Sequence, residues 1–230
     1  MTEDFKDATP GGVISIFPLP NTVFYPDIML PLHIFEPRYR QMTADALGKD
    51  RQIGMVLLKP GFEAEYFDRP AIHSFGCVGH IQDCHQLPDG KYNFALKGFS
   101  RYKIVREIGD APYRQAEVLL LKEINDRALE GHNDPIAQEL AARLTAYCEK
   151  LTQIAREPKI ADIPQCDRLS VFVDRMIMSL DLTPEQKQGY LEEQDVMKRA
   201  DTLLEEIKLK TDLISLSHAL SKKKVDPRMN

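Results

Sequence analysis

IFPLPNTVFYPDIMLPLHIFEPRYR, residues Ile16 to Arg40, holds five of the fifteen prolines of the chain: Pro18, Pro20, Pro26, Pro31 and Pro37. Apolar or aromatic residues stand between nearly all of them. Proline fixes φ and donates no backbone hydrogen bond, so no helix forms here before Pro37. What remains is a set of short extended pieces, Val13–Phe17, Thr22–Phe24 and Ile28–Phe35, separated by proline corners such as Pro26-Asp27. The following EPRYRQMTADAL reads as a helix, with Pro37 at its first position and Tyr39, Met42, Ala46 and Leu47 on one face. On residues alone this is the core-forming entry to a β-rich domain.

The β pattern continues downstream. QIGMVLL (Gln52–Leu58) is an apolar run suited to a strand buried on both faces, and FEAEYFDRP reads as a surface loop. FGCVGHIQDCHQ (Phe75–Gln86) and KYNFALKGFSRYKIVREI (Lys91–Ile108) flank the turn LPDG, whose Asp-Gly pair predicts a hairpin. Tyr92, Phe94 and Leu96 then share one face, and Gly98 permits a bulge. Arg114–Ile124 is the last predicted strand. Six or seven short strands with one interposed helix imply a folded-over sheet or open barrel.

Beyond residue 133 the period becomes helical. Asp134 and Pro135 open a helix with Ile136, Leu140, Leu144, Tyr147, Leu151 and Ile154 as its stripe. CDRLSVFVDRMIMSL is apolar around most of its circumference and is expected to be buried. Thr183-Pro184-Glu185-Gln186 carries a capping-box signal for a short helix, and a long helix runs from Asp195 to about Leu220. That last helix has two stripes: Val196, Ala200, Leu203, Ile207 and Ile214, and separately Leu209, Leu213, Leu216 and Leu220. The expected division is a disordered leader 1–12, a β-rich domain 13–124, a linker 125–133, a helical bundle 134–221 and a flexible tail 222–230. The class is α+β.

Two stretches carry a family resemblance. Phe17–Met42, FPLPNTVFYPDIMLPLHIFEPRYRQM, closely resembles the opening of the Lon-protease N-terminal domain, in the form found as a stand-alone bacterial protein. LPDGKYNFALKGFSRYKI (Leu87–Ile104) is similar to that family's hairpin and its following Gly-x-x-Arg turn. The resemblance covers Val13 to Lys122 well and the helical remainder loosely. It implies a PUA-like pseudo-barrel and a substrate-binding role: recognition of unfolded or extended polypeptide, or docking to a protease or chaperone component. Arg101 matches the family's arginine at the strand bend, where it is expected to brace the turn against Glu36 or Asp27.

Charge and motif content narrow the functional classes. The net charge of −5 is spread evenly, with 14 Lys and Arg against 16 Asp and Glu up to Glu123, and 16 against 19 beyond it. That balance argues against a protein living on phosphate backbones. RNA or small-molecule binding by the PUA-like β domain, which the resemblance implies, is the alternative. No P-loop, dinucleotide fingerprint or Gly-x-Ser-x-Gly elbow is present, so the chain is read as a non-enzyme without cofactor, and any proteolysis as the work of another polypeptide. No apolar run reaches membrane-spanning length, the N-terminus is not signal-like, and four cysteines form no disulfide framework; a cytoplasmic location is the expectation. His73, Cys77, His80, Cys84 and His85 fall within thirteen residues, but a strand would send them to opposite faces, so no metal site is assigned.

The aromatic candidates for a polypeptide-binding surface are Phe17, Phe24, Tyr25, Phe35, Tyr39, Tyr66 and Phe67, some of which must be core instead. The binding set is taken as Tyr25, Phe35, Tyr39, Tyr66 and Phe67, with His33, Glu36, Arg38 and Arg101 as its polar members. His33 is expected to hydrogen-bond a backbone carbonyl or the Glu36 carboxylate. A monomer is favoured, with Leu209, Leu213, Leu216 and Leu220 buried on the β domain; a dimer through the same leucines is the alternative.

Overall fold

A computed structural model describes residues 9–65, 69–109, 111–129, 134–155 and 160–224. The chain forms two compact units: Met1–Glu123 with Asp181–Gln194, and Ile124–Leu180 with Asp195–Asn230.

The first unit is built on six strands: β1 (Thr9–Leu19), β2 (Met29–Ile34), β3 (Gln52–Leu58), β4 (Ile72–Gln86), β5 (Tyr92–Ile108) and β6 (Arg114–Leu121). Helix α1 (Pro37–Leu47) lies between β2 and β3. The strand order is β2-β5-β4-β3-β1-β6, and β5 pairs with β6 as well as with β4. Five strands therefore close into a barrel, with β2 as an added edge on β5. The seventeen-residue β5 makes closure possible: its first part pairs with β4 and β2, its second with β6. The register shifts between Val78 and Gly79 of β4, opposite Ser100 and Gly98, so Phe99 is the bulged residue. Gly98 is required there, because a Cβ would meet the Tyr25 carbonyl oxygen at 2.1 Å.

Alternation along β5 follows the pleat, with Tyr92, Phe94 and Leu96 buried and Asn93 and Lys97 exposed. Buried Ile14, Ile16, Val56, Val78, Ala116 and Val118 surround Tyr102 inside the barrel. The Tyr102 hydroxyl donates to the Met55 carbonyl at 3.0 Å, and burial holds its pKa well above the ordinary phenol value. Gly76 makes room for the ring, since a Cβ there would lie 2.5 Å from Tyr102 and 2.3 Å from the Met55 oxygen.

The structure departs from the sequence reading in several places. Thr9–Gly12, read as part of a leader, is β1 paired with β6, from Thr9 opposite Leu120. Thr22–Phe24, read as a short extended piece, joins no ladder: Val23 and Phe24 are buried in an irregular segment. Phe62–Glu65 is a short 3-10 turn. Helix α4 (Pro184–Glu192), which periodicity groups with the bundle, belongs to the first unit. It starts with the capping box of Thr183 and Gln186, and Gln188 donates to the Phe75 carbonyl on β4. Periodicity marks a helix; it carries no information about which unit the helix packs on.

The second unit contains α2 (Pro135–Ala155), α3 (Leu169–Ser179) and α5 (Val196–Lys224). The Asp134 carboxylate caps α2 by accepting from the backbone of Ile136 and Ala137, and Asp195 caps α5 through Met197 and Lys198. Leu140, Leu144, Val173, Met176, Leu203 and Ile207 are buried, and a buried Arg199–Asp174 pair lies among the helices. Residues 125–129, read as linker, are tied into this unit: the Leu129 amide donates to the Asp167 carbonyl and the Leu169 amide to that of Arg127. The stripe Val196, Ala200, Leu203 and Ile207 is buried, whereas Leu209, Leu213 and Leu216 are 55%, 57% and 57% exposed within the chain. The Ile154 and Leu220 side chains fall outside what is described.

Candidate functional site

Proline corners shape one end of the first unit. Pro37 occupies the first turn of α1, so the helix starts directly after Phe35-Glu36, with Glu36 as N-cap. The Glu36 side chain makes no cap hydrogen bond and instead accepts from Arg38 Nε at 3.1 Å. Arg38 stacks over the Tyr39 ring at 4.6 Å, and Tyr39 packs on Phe17 with ring centroids 4.4 Å apart. This arrangement walls a cavity of about 450 Å³.

Four stretches complete the cavity. Leu32 and His33 come from β2, Leu58 from the end of β3, and Arg69-Pro70 and Pro112-Tyr113-Arg114 from the approaches to β4 and β6. Prolines at 18, 70 and 112 stiffen the walls. The Tyr113 hydroxyl donates to Asp45 at 2.7 Å; burial first, then that carboxylate, raises its pKa. Arg114 is buried, donates to the Pro70 carbonyl at 2.6 Å and pairs with Glu107 at 3.4 Å. Phe35 stands at the rim with 59% of its surface exposed.

Five residues of the candidate binding set therefore come together: His33, Phe35, Glu36, Arg38 and Tyr39 all line this cavity. Tyr66 and Phe67 lie outside the described residues. Tyr25 is not a surface residue. It is fully buried, and its hydroxyl donates to the Lys187 carbonyl of α4. Arg101 is buried too, and braces neither Glu36 nor Asp27: it pairs with Glu123, donates to the Leu191 carbonyl at 3.1 Å and lies over the Tyr25 ring. Glu36 is engaged by Arg38 and Asp27 by Lys97. The His33 partner is Asn93, directly opposite on β5, whose Oδ1 accepts from Nδ1 at 2.6 Å.

Arg69, Tyr113 and Arg114 join the site without a sequence signal. They lie far from the Ile16–Arg40 stretch, Arg69 in a segment read only as a surface loop and Tyr113 and Arg114 where the pattern announces only a strand start. Among the described residues no three metal-ligating side chains gather, and no helix is long and apolar enough to cross a membrane. The second unit has its own cavity of about 360 Å³, with Leu129, Ala137, Ile163 and Phe172 in its wall and, among the described residues, no charged side chain.

Comparisons with known proteins bear on both units. A family model described as the ATP-dependent protease La (LON) substrate-binding domain matches residues 13–208. The Lon protease of Cytophaga hutchinsonii is 28% identical over 205 residues, 84% of this chain and 24% of that protein. Lon protease 2 of Myxococcus xanthus is 25% identical over 223 residues, 90% of this chain and 25% of that protein. The chain thus spans about a quarter of the length of these relatives. The crystal structure of a Lon N-terminal domain protein from Xanthomonas campestris shares the fold, with a TM-score of 0.59, 22% identity, and coverage of 84% of this chain and 96% of that one. So does the N-terminal domain of the Mycobacterium avium complex Lon protease, with a TM-score of 0.58, 18% identity, and coverage of 85% and 98%. With the model matched from residue 13 to residue 208, the chain belongs to the LON substrate-binding domain family.

Proposed function

We propose that this chain is a non-catalytic module that binds exposed polypeptide segments, presenting them to ATP-dependent proteolysis carried out by other protein. One observation carries the reading: a stiff-walled cavity with Phe17, Leu32, Leu58 and Tyr39 inside, arginines at its edge and a more than half-exposed Phe35 at its rim. An exposed aromatic beside a preformed apolar cavity is the usual anchor of a binding surface. The family model's description as a substrate-binding domain supports the same reading. The four free cysteines suit a reducing compartment, which supports a cytoplasmic location.

Addition of an extended strand to the sheet is the weaker route. The barrel closes through β5 and β6, which leaves the outer side of β2 as the open edge, and Pro31 interrupts its donors. Binding is therefore assigned to side-chain pockets. Anisotropy of a labelled, reduced and alkylated protein should report saturable binding to the full chain. Phe35→Ser should weaken that binding about tenfold, the effect of losing a contact worth about 1.4 kcal/mol. Absence of saturation, or indifference to Phe35→Ser, contradicts this function.

A further inference from the structure

Among the described residues the cavity in the first unit is lined by three arginines and one carboxylate. Arg38, Arg69 and Arg114 all line it, while the carboxylates at hand are Glu36, engaged by Arg38, and Glu107, engaged by Arg114. Among the described residues Arg69 has no carboxylate partner. Arg114 is more than nine-tenths buried, and its bonds to the Pro70 carbonyl and Glu107 use two of five N–H donors. The same cavity is also lined by Phe17, Leu32, Leu58 and Tyr39.

We propose that this cavity takes the C-terminal residue of a polypeptide, its free carboxylate held by Arg69 and Arg114 and its side chain lodged between Phe17 and Leu58. The inference rests on the polypeptide-binding function above and names the part of the polypeptide that is read. Guanidinium forks match a carboxylate with paired hydrogen bonds, strongest where water is excluded. A volume of about 450 Å³ suits a ligand of a few residues, which a chain end supplies and an uninterrupted extended segment does not. Burial first, and then the neighbouring Arg69 and Arg38 charges, pull the Arg114 pKa down against the pull of Glu107; a bound anion relieves that crowding. Among the described residues the cavity of the second unit offers no such counter-charge.

The test uses the full chain and three labelled octapeptides of one sequence ending in leucine: the free acid, its C-terminal amide, and an amide with glutamate as the residue before the leucine. The free acid should bind at least tenfold more tightly than the plain amide. Arg69→Gln, at an exposed position, should abolish that preference while leaving Tm unchanged. Arg38→Gln should reduce it by a smaller factor. Equal affinity of acid and amide overturns the carboxylate assignment, and parity of the internal-glutamate amide with the free acid overturns the chain-end assignment. If none of the peptides binds while a reduced, alkylated protein still does, the inference fails and the polypeptide-binding function stands. If that protein also fails to bind, both fall.

Discussion

The Tyr25 hydroxyl donates a 2.5 Å hydrogen bond to the carbonyl of Lys187, 162 residues away, so the proline-rich entry segment holds a helix from the far end of the chain. Arg101 joins the same contact, lying over the Tyr25 ring, pairing with Glu123 and donating to Leu191. All these residues belong to the first unit.

Tyr25→Phe should cost about 0.5–1.5 kcal/mol, the usual worth of one hydrogen bond. Arg101→Met should cost more, about 3 kcal/mol, because it removes one partner of a largely buried ion pair. Hydrogen exchange should show the loss first at the amides of α4. Protection there unchanged in both variants would show that the contact does not hold the helix.

Gly76→Ala tests the barrel interior. A new Cβ would press on the Tyr102 ring and on the Met55 backbone oxygen, which cannot swing aside. Destabilisation of about 1–3 kcal/mol in urea denaturation is expected, with cooperativity retained. A variant as stable as the parent would mean that Tyr102 packs otherwise.

The second unit should be sensitive to acid. The Arg127 hydrogen bond, opposed by burial, and the cap donors of Ala137 and Ile136 hold the Asp134 pKa below 3.8. Asp126 is also depressed: burial acts against it, but Ser170 and Arg168 prevail. A carboxylate whose folded pKa is lowered contributes stability above its unfolded value and loses it as pH falls through the folded one. Stability should therefore be flat above about pH 5 and decline below about pH 4. Asp134→Asn should lower stability at pH 7 and make the decline shallower; an unchanged acid limb would contradict the assignment.

How far the sequence could be read depended on the kind of constraint. Local ones were legible: Pro37 starting α1, Gly90 turning the β4–β5 hairpin, Gly98 at the bulge, the capping box at Thr183, and the buried face of Tyr92, Phe94 and Leu96. Long-range ones were not. Nothing local distinguishes Tyr25, which is core, from Phe35, which is rim, because both are aromatics beside proline corners. Arg101 reads as the brace of its own turn, yet its partners are Glu123 and Leu191, on segments that only closure of the barrel and docking of α4 bring near. The cavity likewise draws Arg69 and Arg114 from two further segments.

The leucine stripe of α5 calls for a different expectation from burial. Since Leu213 and Leu216 are more than half exposed, Leu213→Asp with Leu216→Asp should change unfolding stability by no more than about 0.5 kcal/mol per site. Thermal denaturation with light scattering before and after checks this. A large loss of stability would show that the stripe is covered.

The most direct test of polypeptide binding at the cavity is chemical-shift mapping of the full 230-residue chain, titrated with a reduced, alkylated protein. Saturable shifts should concentrate at Leu32, Phe35, Tyr39, Leu58 and Tyr113, and leave Leu209, Leu213 and Leu216 undisturbed. Shifts at the α5 leucines with the cavity residues unmoved would contradict the account.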